Sequence, residues 1–151
     1  VAELFFGASA QAVPRAERPL RLLGALSGSD DVPTAVAASG ALAILARYKR
    51  ARPVLIDVLA AKPFVTVLGD DATDGAVQHR LAECLRQLLA KPAHAERLAA
   101  PELSVALVKV LSSSPSEDAQ AAASACLHIL QSRNLLKGKQ AAEAAAAAHD
   151  S

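Results

Sequence analysis

The chain has 151 residues, of which 52% are hydrophobic but only 3% aromatic, and its formal net charge at pH 7 is +1. With 7 glycines, 8 prolines and 21% charged residues it is neither collagen-like nor disordered, and its near-neutral charge creates no general attraction for nucleic acid or anionic membranes. Much of the hydrophobic content is alanine and leucine, which are among the best helix formers, so we predict an all-α protein of one domain.

Other totals narrow the class of protein further. Cys84 and Cys126 are too few for a disulfide framework and lack the spacing of metal ligands, which predicts a reducing, cytoplasmic location. Charge and proline interrupt every apolar stretch, and none reaches the roughly 18 apolar residues that cross a membrane, so no membrane partner is expected. The sequence contains no methionine, which suggests a fragment or a processed chain.

Residues 1–18 come first in the chain and do not fit a regular pattern. Pro14 and Pro19 are too close for a full helix between them, so we interpret 1–18 as a partial repeat or the remnant of one. Residues 19–139 are predicted to form three repeats, and residues 140–151 an alanine-rich C-terminal helix or tail. The approximate bounds of the repeats are 19–50, 51–90 and 91–139.

Each predicted repeat contains the same series of segments. A short apolar helix follows a proline, at 20–26, 64–68 and 103–111. A polar loop comes next, at 27–33, 69–75 and 112–118. The loop leads into a longer helix that contains a small residue followed by Leu-x-x-Leu, at 40–45, 83–88 and 125–130. This spacing is typical of a helix with one buried face. A further short helix is predicted between repeats, at 53–60 and 92–99.

Two local signals mark helix ends in this series. Ser114-Pro115-Ser116-Glu117 predicts a capping box in which Ser114 is the N-cap and Glu117 the third helical residue. Gly69 is predicted to follow the end of the second short apolar helix as its C′ residue.

The series resembles the armadillo repeat. Residues 91–111 resemble the family's first and second helices, and residues 120–130 its third. The HEAT repeat, with two helices in place of three, is the nearest alternative, and the short proline-led helix favours armadillo. The resemblance implies a right-handed α-α superhelix, an armadillo-type solenoid of about three repeats of near 40 residues, because a single unit cannot bury its apolar face alone.

No catalytic pattern is present in the sequence, which contains neither a Gly-rich phosphate loop nor HExxH or GxSxG. The four histidines are scattered, so we expect no metal, no cofactor and no enzymatic activity. Cys84 and Cys126 occupy one repeat position, matched by Ala41, and this equivalence predicts a small buried residue there.

Charge alternates along the repeats. The loops before the long helices carry an acidic edge: Asp30, Asp31, Asp70, Asp71 and Asp74. The segment after the first long helix carries a basic edge: Arg47, Lys49, Arg50 and Arg52. Either the residues compensate helix dipoles, or each edge docks a partner of opposite charge, and both interpretations stay open. The basic run is short and balanced by acidic loops, so no nucleic-acid partner is expected.

The surface of the third helices is the predicted partner-binding groove. Peptide-binding armadillo proteins resemble one another in a Trp and an Asn there, and the matching positions hold neither, so binding of nuclear signals is not expected. The groove residues are predicted to be Val36, Gly40, Ile44, His79, Arg80, Glu83, Gln87, Ala121, Ala125 and Ile129. The small and apolar members of this set, on the first and third of these helices, form an apolar stripe that suits an amphipathic helix. The alternative is that the C-terminal helix folds back and covers the stripe.

The sequence therefore predicts a non-enzymatic scaffold or adaptor that binds other proteins: a helical or extended segment, neighbouring subunits, or a missing remainder of its own chain. One alternative is an armadillo-type chaperone cofactor, such as a nucleotide-exchange factor of a heat-shock chaperone or a myosin chaperone. Another is a regulatory domain of a longer enzyme.

Overall fold

The structure, a computed structural model, describes the backbone of residues 12–59 and 62–135 and the side chains of residues 18–59 and 64–135. Within these residues the protein is all-α, as predicted, with eight helices and no strand. The helices are α1 Ala12–Leu26, α2 Val32–Leu45, α3 Arg52–Leu59, α4 Lys62–Gly69, α5 Gly75–Leu89, α6 Pro92–Leu98, α7 Pro101–Ser113 and α8 Glu117–Ser132. The predicted C-terminal helix or tail at 140–151 lies outside the described residues.

The helices fall into three units, which we name the first (α1, α2), second (α3, α4, α5) and third (α6, α7, α8). Helix α1 begins at Ala12 and continues through Pro19, so it crosses the boundary predicted between residues 18 and 19. The proline has no N–H to donate, and α1 therefore lacks one of its i→i−4 hydrogen bonds.

Neighbouring helices pack both within units and between them. Helices α2, α5 and α8 contact in series, as do α1, α4 and α7, and α3 contacts α6. One cluster of buried side chains, mostly Leu and Ala, extends from Leu20 to Leu130. Each fully buried leucine stabilises the fold by roughly 1.5–3 kcal/mol relative to an exposed one. The largest fully buried side chains are Leu20, Leu42, Leu45, Leu55, Leu59, Leu68, Leu81, Leu85, Leu88, Leu89, Leu103 and Leu107.

The predicted capping box at the start of α8 is wrong in its register. Helix α8 begins at Glu117, and its N-cap is Ser116, whose hydroxyl accepts a hydrogen bond from the Ala119 N–H at 3.1 Å. Ser114 is instead the buried C-cap of α7. Its hydroxyl donates to the side-chain oxygen of Gln78 in the second unit and accepts from the N–H of Ser116 at 3.3 Å, so it contacts the N-cap residue of α8 without being the N-cap itself.

Gly69 has a different role from the predicted one. It is the last residue of α4 and lies against α7, where an added Cβ would be 3.1 Å from the Cβ of Ala106. Glycine suits this position because the two helices approach each other closely, and not because the backbone makes a left-handed turn.

Helix α8 ends in a Schellman motif. Asn134 has a φ of 58°, the Leu135 N–H donates to the Leu130 carbonyl at 2.8 Å, and the Asn134 N–H donates to the Gln131 carbonyl at 3.0 Å. Asn tolerates the left-handed region better than most residues, so it can end a helix where Gly is usual.

Candidate protein-binding surface

The predicted groove residues lie on α2, α5 and α8, which contact one another in series. The Cys84 thiol donates to the Leu42 carbonyl at 3.5 Å, and the Cys126 thiol donates to the Ala82 carbonyl at 3.3 Å. Both cysteines are fully buried, which confirms the predicted small buried residue, whereas Ala41 is half-buried. Burial raises the pKa of the Cys84 thiol to about 12 and also raises the pKa of Cys126. The thiols therefore act as small packing residues.

Helix α5 contributes the polar part of the surface. Arg86 donates from Nε to both carboxylate oxygens of Glu83, at 3.0 and 3.1 Å, and also contacts the carboxylate through Nη2. These hydrogen bonds hold the pKa of Glu83 below its usual value, against the opposing effect of burial. The charge of His79 and a hydrogen bond from Gln87 lower the pKa of Glu83 further. A partner that contacts Glu83 thus meets an ion pair rather than an isolated carboxylate.

Arg80 connects the polar part to α2. A Cβ placed on Gly40 would lie 3.5 Å from Nη1 and 3.8 Å from Cζ of Arg80, so the guanidinium covers Gly40. Gly40 is buried as a result, although it occupies a predicted groove position. The surfaces of α2 and α5 are therefore continuous at this point.

The apolar part of the predicted groove is unevenly exposed. Ile44 is 48% exposed, which makes it a large apolar side chain open to a partner. Val36 and Ile129 are half-buried and pack against the core cluster. On α8, Ala121 is exposed and Ala125 half-buried, so that helix presents mainly small side chains. The largest apolar anchor of the surface is thus Ile44.

Part of the basic edge donates hydrogen bonds to carbonyl groups at the ends of helices. Arg52 donates from Nε to the Ala46 carbonyl at 2.8 Å, just after α2. Arg133, in the basic segment after the third long helix, donates from Nη2 to the Ala90 carbonyl at 2.8 Å, just after α5. Carbonyl groups at helix C-termini lack helical partners, so these contacts fit the dipole interpretation. Arg47, Lys49 and Arg50 are exposed on the same edge.

Two residues of the acidic edge likewise accept hydrogen bonds from N–H groups at helix N-termini. Asp31 accepts from the Thr34 N–H at 3.2 Å and Asp74 from the Ala76 N–H at 2.9 Å, as N-caps of α2 and α5. Asp30, Asp70 and Asp74 face one pocket of about 210 Å³ between the two loops. Among the described residues, no three His, Cys, Asp or Glu side chains are arranged to hold a metal ion.

Two features of the structure are not among the predicted sites. Gln78 and Ser114 form a buried hydrogen bond between units, and the recurrence of Gln at 78 and 120 marks the position but does not indicate the partner 36 residues away. The second feature is an open groove of about 760 Å³ between α4 and α7. Its lining comes from residues 65–71 and 100–109, whose proximity depends on how two units stack, so sequence spacing alone does not indicate it.

Within the described part of the chain, none of the helices combines the length and the apolar character needed to cross a bilayer. Comparison of the chain with family models, with curated proteins and with solved structures finds no match. The function must therefore be inferred from the geometry of the molecule itself.

Proposed function

We propose that the chain is an armadillo-type protein-interaction module, a right-handed superhelix of about three repeats whose third helices bind a helical or extended segment of a partner. The observation that carries this proposal is the serial contact of α2, α5 and α8, in which the cysteine at the same repeat position of α5 and of α8 is buried against a carbonyl of the preceding long helix. Contact of each long helix with the next is the property expected of stacked units. The resemblance of the sequence to armadillo repeats supports the same assignment.

The chemistry of the surface defines what it would bind. Ile44 offers one bulky apolar contact beside a row of small side chains, so the partner supplies the other large apolar groups. Arg80, which covers Gly40 on the same helix as Ile44, and the Glu83–Arg86 pair on α5 would set the partner's orientation through polar contacts. Full burial of Ile44 by a partner would contribute about 1.5–3 kcal/mol at most, because the side chain is already half covered.

A peptide display experiment tests the proposal and does not require the partner to be identified first. The full chain selects binders from a library of random 16-residue peptides, and each enriched peptide is measured against Ile44→Glu by fluorescence anisotropy. Val105→Glu is the matched control, because Val105 is 46% exposed against 48% for Ile44 and lies on α7, outside the predicted groove. Circular dichroism melting verifies that both variants fold.

We expect a class of enriched peptides that Ile44→Glu weakens about tenfold or more and Val105→Glu leaves unchanged. Arg80→Ala should weaken the same class. If no enriched peptide is sensitive to Ile44→Glu while the variant remains folded, the third-helix surface is not the binding site.

A further inference from the structure

The groove between α4 and α7 lies on a pair of helices that the proposed function does not use. Its volume of about 760 Å³ is within the roughly 300–1,000 Å³ range of pockets that accommodate ligands. Gly69 and Ala106, which pack closely against each other, both line it. Val65 of α4 and Val105 of α7 also line the groove, and Val105 is 46% exposed.

The lining of this groove is acidic. Asp70 and Asp71 follow the end of α4, and Glu102 lies in the first turn of α7, so three carboxylates line the groove. Among the described lining residues, the opposing charge is Lys109, whose ammonium group donates to the Gly69 carbonyl at 3.4 Å. The described carboxylates thus outnumber the described ammonium group. An apolar depression with a surplus of negative charge is complementary to an apolar segment that carries positive charge.

We propose that the α4–α7 groove is a second binding surface, which takes a short peptide segment of another protein with apolar side chains flanked by Lys or Arg. The apolar side chains lie against Val65 and Val105, and the basic side chains face Asp70, Asp71 and Glu102. This surface is independent of the third-helix surface, so one module can hold two partners at once.

The charge of the groove distinguishes this occupant from other candidates. A segment with acidic flanks would bring its charge against the three carboxylates, which is unfavourable. A neutral apolar ligand would fill the groove without any dependence on the carboxylates or on salt. The predicted ligand therefore has two separable requirements, an apolar one at Val105 and an electrostatic one at the rim.

The test uses the full chain and a phage-displayed library of random 12-residue peptides, selected at low salt. Each enriched peptide is synthesised with a fluorescent label and titrated with the parent chain, with Val105→Glu and with the triple variant Asp70→Asn, Asp71→Asn, Glu102→Gln. The amide replacements keep the shape of the side chains and remove their charge. Ile44→Glu is the matched control, which also separates this inference from the proposed function.

We expect enriched peptides with an excess of Lys or Arg beside apolar residues. Their affinity should fall about tenfold or more in Val105→Glu and several-fold in the triple variant, and salt should weaken the parent complex more than the triple variant. Ile44→Glu should leave their affinity unchanged. Since all four sites are exposed, sedimentation velocity and melting curves can confirm that each variant folds like the parent.

Several outcomes would overturn the proposal. Absence of any peptide sensitive to Val105→Glu would do so, as would enriched peptides whose flanks are acidic or neutral. A parent chain that self-associates, and becomes monomeric in Val105→Glu, would show that a second copy occupies the groove instead.

Discussion

The contact between the first and second units, where α1 and α2 meet α4 and α5, can be compared with that between the second and third, where α4 and α5 meet α7 and α8. We call these the N-terminal and C-terminal junctions. Each contains one cysteine that donates to a carbonyl of the preceding unit, but the two acceptors, Leu42 and Ala82, differ by three positions in the repeat. The junctions also differ at the repeat position occupied by Ala35 in α2, Gln78 in α5 and Gln120 in α8.

At the C-terminal junction this position forms a buried polar network. Gln78 donates from Nε2 to the Leu68 carbonyl at 3.3 Å and accepts from the Ser114 hydroxyl at 2.7 Å. Gln120 donates to the Ser114 carbonyl at 2.7 Å. Gln78 therefore connects the end of α4 to the end of α7. Networks that satisfy their buried groups favour one relative placement of the elements they join.

The N-terminal junction has no equivalent of this amide, since the methyl group of Ala35 cannot form a hydrogen bond. Here the two loops leave the pocket of about 210 Å³ that Asp30, Asp70 and Asp74 face. Ala35 itself lines that pocket. The difference suggests that a single repeat position determines how firmly neighbouring units are joined, and that the first unit separates more easily than the third.

The largest effect should come from Gln78→Ala, which removes the acceptor of the Ser114 hydroxyl proton and the side-chain donor to the Leu68 carbonyl. We expect the free energy of unfolding to fall by about 2–4 kcal/mol, from the lost hydrogen bonds and the space left in a buried site. Urea denaturation measures the change. Gln120→Ala is the control, because Gln120 is half-buried and its loss should cost about 1 kcal/mol. Equal costs for the two variants would contradict the special role of Gln78.

A pair of glycine substitutions should differ in sign. A Cβ on Gly75 would lie 2.9 Å from the Cβ of Ser116 across the C-terminal junction, whereas a Cβ on Gly40 would lie 3.5 Å from a guanidinium atom of Arg80. Gly75→Ala should therefore destabilise the protein by about 1–3 kcal/mol. Gly40→Ala should be neutral or stabilise it by up to about 1 kcal/mol, because Ala favours the helix. Thermal melts of both variants test the prediction.

Thiol labelling compares the two junctions directly. Cys84 faces α2 across the N-terminal junction and Cys126 faces α5 across the C-terminal one. If the first unit separates more readily, Cys84 should be modified at least about tenfold faster than Cys126, a difference of about 1.4 kcal/mol in opening. Mass spectrometry after timed labelling of the native protein measures both rates. Faster labelling of Cys126 would reverse the proposed order of the junctions.

The same thiols predict an alkaline loss of stability. The pKa of Cys84 is raised to about 12 in the folded chain, against about 8.5 for an unperturbed thiol. Folding therefore favours the neutral thiol. The contribution of this thiol to the free energy of unfolding is complete below about pH 8.5 and is lost as the pH rises toward 12. The difference in stability between the parent and Cys84→Ala should shrink over that interval, as urea titrations at several pH values would show.

The positions of most helices can be predicted from the sequence because they have a local signal, such as the Leu-x-x-Leu spacing or a leading proline. Helix α1 is an exception, because it begins at Ala12 and contains Pro19, which the sequence pattern predicts to precede it. The placement of Cys84 and Cys126 as small buried residues follows from their equivalence. By contrast, the sequence pattern assigns Ser114 to the wrong helix, because its partner Gln78 lies 36 residues earlier and only the stacking of units brings them together. The cover that Arg80 provides over Gly40 depends on the same stacking.

The smallest effect is expected for a surface ion pair at the C-terminal junction, which can be compared with the buried network there. Arg97 of α6 donates to Asp57 of α3 at 2.7 Å, but both side chains are more than half exposed. Water screens such a pair and two flexible side chains must be ordered to form it, so Arg97→Ala should cost at most about 0.5 kcal/mol and less at high salt. Urea denaturation at two salt concentrations measures this cost. A cost comparable to that of Gln78→Ala would mean that the ion pair, rather than the buried amide, distinguishes the two junctions.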